Sequence, residues 1–386
     1  MIRQRRIGKF DGLLGEAGRL QSFGVDFINR STDSIAKLTF TRASSGTYFD
    51  SAGTLQTAGT NVASFDHNPL TLASLGLAIW EARTNSLLYG RDWTQAATWI
   101  AVTMTTALTA TGIDGTANSA TTLTAAAGNA TILQTLVLAA VARSFSVYMK
   151  RRTGTGTVNI TRDGGTSWTD VTSQLSTTAW ARVKIENTSV LNPVIGVQLV
   201  TNTDAVDVDY AQDEAGAFIT SAILTTVAAA TRAADVCSTT DLSWFNAAEG
   251  TFVITAYTTG TTSASLATIS DGTTNNRISM SNGASNAVFN PFISTGGVTQ
   301  GTLTVGSIFA SAINKLVVAY KNNDCASGAN GAAIVLDSTT PGGLPVVTTL
   351  YVGGGSTGAS TGAKWIASLA YYPRRLSDAT LQMLSA

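Results

Sequence analysis

"EAGAFITSAILTTVAAATRAADV", residues 214–236, lies just past the middle of a 386-residue chain, and its reading decides how the chain is divided. Phe218, Thr220 and Ala222 alternate with Ile219, Ser221 and Ile223, so its first half reads as a closing strand. The second half, "TTVAAATRAAD", has no amphipathic stripe at helical spacing despite its alanines, and reads as an extended connector. The stretch is therefore a seam between two modules, with a boundary near residue 235.

Outward from the seam the period is two on both sides. In "VDVDYAQ" (206–212) Val206, Val208 and Tyr210 point one way, while Asp207 and Asp209 point the other. In "WARVKIEN" (180–187) Val183 and Ile185 alternate with Arg182, Lys184 and Glu186. In "SFSVYMK" (144–150) Phe145, Val147 and Met149 alternate with Ser146, Tyr148 and Lys150. Each run places one face in a core and one in water, as in an antiparallel sandwich. The same texture returns in "GTFVITAY", "NKLVVAYKN", "AAIVLD", "TTLYVGG" and "KWIASLAYY". The expected fold is all-β: two consecutive antiparallel β-sandwich (jelly-roll) domains, over 91–235 and 236–386. An irregular, β-leaning segment covers 1–90. The one helix is expected in "PRRLSDATLQMLSA", capped by Ser377, with Asp378 at the positive end of its dipole and Leu381 and Leu384 as its apolar stripe.

Composition narrows the function classes. Charged residues make up 12% of the chain, against about 25% in an average globular protein. Twenty-four basic residues balance 24 acidic ones, so no global attraction to nucleic acid or to an acidic membrane is expected. The local exception is "MIRQRRIGK", with Arg3, Arg5, Arg6 and Lys9, read as a peg docking onto another protein. No apolar run of transmembrane length and no secretory signal is present. Cys237 and Cys325 lie far apart, which suggests no disulfide framework and a reducing compartment.

Chemistry-bearing motifs are sparse. His67, the single histidine, sits beside Asp66 in "FDHNP" and fits a hydrogen-bonded turn before Pro69 better than a catalytic pair. No G-x-S-x-G elbow appears, and two Cys with one His make a zinc site improbable. "RTGTGTV" and "VGGGSTGAS" lie between strand-like runs and read as hairpin loops, not phosphate cradles. Asp207 and Asp209 either bind a cation or form the solvated face of their strand. No catalytic residue, metal or cofactor is called. The candidates for a binding role are indoles, which stack on sugar rings while amides and hydroxyls meet the sugar's own hydroxyls. Trp168, among the turn formers of "GGTSWTD", leads, followed by Trp93 and Trp99 at a sandwich rim. Trp180 reads as an inward anchor.

Three stretches carry a resemblance. "FTRASSGTYFDSAGTLQT", "FDHNP" and "GLAIWEARTNSLLY" resemble the N-terminal segment of bacteriophage and prophage virion proteins of the fibre, spike or decoration type. Residues 214–236 resemble the end of their carbohydrate-binding-module-like jelly roll. The ending "AYYPRRLSDATLQMLSA" is similar to concanavalin A-like (laminin G-like) sandwiches. The resemblance implies a non-enzymatic structural or adhesion protein of the virion, with residues 1–90 attaching to other virion proteins. It also implies a homo-oligomer, expected to be a trimer, that contacts host-surface glycans and neither binds nucleic acid nor inserts into a membrane. The alternatives are a glycan depolymerase built on the C-terminal sandwich, which requires an acid pair in a concave sheet face, and a capsid decoration protein without a ligand.

Overall fold

The structure, a computed structural model, describes residues 21–29, 36–258, 263–283, 288–306, 308, 312–340, 342–359 and 362–386. The basic segment Arg3–Lys9 lies outside them. Among the described residues the regular structure is nearly all strand, the ladders between strands are antiparallel, and the chain resolves into two compact units. One comprises residues 42–74 and 82–234, the other residues 1–41, 75–81 and 235–386. The later division falls between residues 234 and 235. Residues 1–90, expected as a segment of their own, are shared between the two units.

The 42–74/82–234 unit is a sandwich of two five-stranded sheets. The larger runs in the order Ala181–Ser189, Ala142–Thr153, Ala205–Ala215, Ala120–Ala125, Met104–Ala110. The smaller runs Thr169–Asp170, Val158–Thr161, Val194–Leu199, Ala130–Thr135, Ile100–Val102. Period-two alternation supplies the core between them: Phe145, Val147, Met149, Val206 and Val208 from one sheet, Val158, Ile160, Val197, Ile195 and Ile132 from the other.

The far face of the larger sheet is also covered. The hairpin Gly46–Phe49/Leu55–Ala58 and residues 218–223 lie over it, and Phe49, Leu55, Tyr148, Tyr210 and Ala222 form a second apolar cluster. Half-buried Trp180 packs against this cluster rather than into the intersheet core. Buried Arg42 pins the hairpin's approach by donating to the carbonyls of Ala58, Gly59 and Val62. This explains the "TRASSG" pattern, since a Cβ on Gly46 would stand 2.7 Å from the guanidinium carbon.

Three strand-level expectations change. The strand before the seam ends at Ala215, and residues 218–223 are buried without being a strand. Gly216 turns the chain at φ +128°, and side chains then satisfy the backbone: Glu214 accepts from Thr220 N, Gln212 from Ile223 N, and Asn85 donates to Ile223 O. The connector beyond pairs over Ala230–Arg232 with Arg83–Asn85. Tyr210 is an extra residue at φ +43°, where the ladder slips between Ser146 and Tyr148, so it points away from Val206 and Val208. Asp207 and Asp209 are not a solvated face. Asp209 is buried and takes Arg91 on both oxygens, while Asp207 is held by Arg152 and Thr122.

In the other unit, one sheet orders Val335–Asp337, Cys325–Ala329, Ala312–Lys321, Glu249–Thr258 and Lys364–Tyr372, whose far side receives Ile79–Leu77. Phe23–Asp26 also pairs with Tyr371–Ser368. The nine-stranded second sheet begins Thr39–Thr41, Val236–Thr239, Thr349–Val352, Ala264–Ser270. The helix Asp378–Leu384 packs Leu381 against Val317, Ala319 and Ala326, and the Ser377 hydroxyl accepts from Thr380 N as its cap. Both Gly-rich loops join strands of different sheets, so they are arches rather than hairpins. Both cysteines are free and buried.

Candidate glycan-contacting face

The hairpin that carries Trp168 is built by its own sequence, "TRDGGTSW" (161–168). Gly164 and Gly165 take φ +72° and +89°, a region costly for any residue with a Cβ. The Asp163 carboxylate accepts from the Thr161 hydroxyl (2.8 Å) and from Ser167 N (2.9 Å), and Gly165 N donates to the Thr161 oxygen (3.0 Å). Slight burial opposes ionisation of Asp163, but the hydrogen bonds from Ser167 and Thr161 outweigh it and hold its carboxyl below the usual range. A Cβ on Gly165 would stand 2.5 Å from the Trp168 ring, so the indole lies directly against that glycine. Trp168 is thus a half-exposed ring in a fixed position.

The ring immediately precedes Thr169–Asp170, the edge strand of the smaller sheet. Cross-strand register sets Asp170 opposite Asn159, Asn159 opposite Gln198, Gln198 opposite Thr131, and Thr131 opposite Val102. Residues facing each other across a ladder share a face. The intervening positions Ile160, Val197 and Ile132 are core, so this row points outward. With strands about 4.8 Å apart, Asp170 to Thr131 spans about 14 Å. Asn159 Nδ2 donates to Gln198 Oε1 at 2.9 Å, which fixes the two amides and leaves the Gln198 nitrogen as a donor. Exposed Asp170 accepts from the side chain and backbone of Thr172, which hold its carboxyl below the usual range. A second row runs Thr161, Gly196, Leu133, Ile100. Asp170 is exposed, Gln198, Thr131 and Trp168 are half-buried, and Asn159 and Thr161 are buried, so the accessible groups are one indole, one carboxylate, one amide and one hydroxyl.

Trp93 and Trp99, expected at a rim, are core residues, each 1% exposed. Their rings stack on each other at 3.8 Å and 8°, and their indole nitrogens donate to Gly90 O and Tyr89 O. An apolar area this large is best placed between the sheets, and neither ring is open to a ligand. His67 is buried with Nδ1 3.0 Å from Phe49 O, while Asp66 accepts from Phe49 N, so both serve the turn before Pro69. Among the described residues no group of His, Cys, Asp or Glu gathers to hold a metal ion. Asn159, Gln198 and Thr131 were not singled out by sequence reasoning. Their signal was the lone polar residue alternating with apolar ones in "TVNIT", "VIGVQL" and "ATILQT".

The other unit has a concavity of about 170 Å³ lined by residues including Phe23, Lys37, Asp241 and Trp244. There the Trp244 indole is already committed: it stacks on Phe23 at 4.4 Å, and its nitrogen donates to Asp241 O at 2.7 Å.

No protein-family model and no curated protein matches the chain. Among solved structures, the chain is similar to the Ruminococcus gnavus IT-sialidase CBM40 bound to α2,3-sialyllactose. That match has 20% identity and a TM-score of 0.32, over 36% of this chain and 84% of that one. It is also similar to the leech intramolecular trans-sialidase (18% identity, 36% of this chain, 23% of that chain, TM-score 0.32). A third is a variant of NanB sialidase from Streptococcus pneumoniae (16% identity, 38% of this chain, 25% of that chain, TM-score 0.33). Likeness at this level carries no argument about ligand or activity.

Proposed function

We propose that this chain is a non-enzymatic, glycan-contacting subunit of a bacteriophage particle, trimeric, and acting through many weak contacts. The observation that carries the glycan reading is the outward row of exposed Asp170 and half-buried Gln198 and Thr131, with Asn159 bracing Gln198, in the sheet whose edge strand follows half-exposed Trp168. A pyranose needs a flat apolar surface for its C–H face and a fan of donors and acceptors for its hydroxyls, and this row offers both. A single exposed ring with mostly uncharged partners gives a weak site. Display in many copies raises its effective affinity by about 10²–10⁴. The particle assignment is supported by the sequence resemblance alone, and labelling intact phage with an antibody to this chain tests it.

The binding assignment is tested by displaying the full chain multivalently on beads against an array of host-surface glycans. Asn159→Ala/Gln198→Ala is expected to weaken the apparent affinity at least about tenfold, the scale of one lost pair of ligand hydrogen bonds. Binding that survives this double substitution places the site elsewhere. Release of reducing ends from capsule or lipopolysaccharide by the wild type favours the depolymerase alternative.

A further inference from the structure

The open face is unusual in its charge. None of its five strands, Ile100–Val102, Ala130–Thr135, Val158–Thr161, Thr169–Asp170 and Val194–Leu199, contains a Lys or Arg, and their one charged residue is Asp170. The hairpin adds a second acid, Asp163, bonded to Thr161 and Ser167. The cation next to Asp163 in sequence, Arg162, is turned inward and 3% exposed, where it meets Asp213 and the Thr188 carbonyl. The unit's other nearby cations are committed to acids of the larger sheet: Arg143 to Asp213, Arg151 to Asp204, Arg152 to Asp207. The face thus keeps two carboxylates and offers no cation.

Resting on the glycan reading above, we infer that this face selects uncharged saccharides and rejects those carrying a carboxylate, phosphate or sulfate. A neutral sugar hydroxyl both donates and accepts, so it satisfies the Asp170 carboxylate, the Gln198 amide and the Thr131 hydroxyl alike. An anionic substituent offers acceptors only. Beside Asp170 it meets like charge, and it sheds water without a cation to replace it. Asp170 is therefore the specificity-determining residue. The discrimination is electrostatic at a solvent-exposed face, so salt screens it; the Debye length falls from about 30 Å at 0.01 M to about 8 Å at 0.15 M.

Matched pairs of immobilised oligosaccharides, identical except that a terminal hexose is replaced by its uronic acid, test this with the full chain displayed multivalently. At 10 mM salt the neutral member is expected to bind at least about tenfold more tightly, and the ratio is expected to shrink at 150 mM. Asp170→Asn keeps an acceptor for Thr172 N and is expected to lower that neutral-to-acidic ratio several-fold. Equal or tighter binding of the acidic member, or a ratio indifferent to both salt and Asp170→Asn, overturns the selectivity and leaves the binding face standing. Binding of neither member, across pairs that include the glycans of the natural host, overturns the glycan reading and the selectivity with it.

Discussion

Lys364 is fully buried, and burial pulls its ammonium down to about 7, with Glu81 and Asp235 opposing the shift. Between pH 7 and 9 the folded chain has released a proton that the unfolded chain retains, so stability rises with pH across that window. Above about pH 9 Cys237 opposes the trend: burial raises its thiol to about 12, so the folded state keeps a proton that the unfolded state loses. Thermal melts from pH 7 to 9 are expected to climb for the wild type and to flatten for Lys364→Met; equal slopes would refute the assignment. Trp99 makes a different prediction. Removing a ring from the buried Trp93–Trp99 stack destabilises by about 3–5 kcal/mol in chemical denaturation, without weakening glycan binding by the folded protein. The sequence offered both indoles as glycan-contacting candidates at a sandwich rim, and the structure buries them. A Trp between turn-forming residues reads as exposed, and only the partner strand decides.

At the scale of elements, alternation was the legible part. "SFSVYMK" and "VDV" place their apolar residues in the core as the period requires. The reading failed at Tyr210, because a single inserted residue reverses the phase and leaves no mark in a two-residue pattern. It failed for Asp207 and Asp209 because their partners are distant in sequence: Arg91 and Ile113 N for Asp209, Thr122 and Arg152 for Asp207. The intersheet side also holds a paired polar group, for Asp213 stands opposite core Phe145. Asp213 lies between Arg143 (2.6 Å) and Arg162 (2.9 Å), all three buried. Asp213→Ala leaves two buried guanidiniums without their carboxylate and is expected to cost about 3–5 kcal/mol of unfolding free energy, measured by urea titration. A loss below about 1 kcal/mol shows that water reaches the pair. At the C-terminal helix, Ser377→Ala is expected to cost about 1 kcal/mol through loss of the Thr380 N–H acceptor.

For the whole molecule, the seam near residue 235 was legible from texture, whereas the fate of residues 1–90 was not. Phe23–Asp26 pairs with Tyr371–Ser368, and Thr39–Thr41 pairs with Val236–Ser238, partners that no local pattern announces. A fragment of residues 236–386 lacks both strands and Leu77–Ile79 as well. It is expected to give no cooperative thermal transition by circular dichroism, and a sharp one would make those strands dispensable. The outward face of the other unit was legible only through Trp168, since its amides belong to two separate strands aligned by register. Titrating the full chain with a neutral oligosaccharide it retains on an array, while following the indole N–H signals by NMR, tests the site most directly. With Trp168 assigned by Trp168→Phe, its signal is expected to shift saturably while those of Trp93 and Trp99 hold still. A still Trp168 signal beside a moving Trp244 signal would contradict the site.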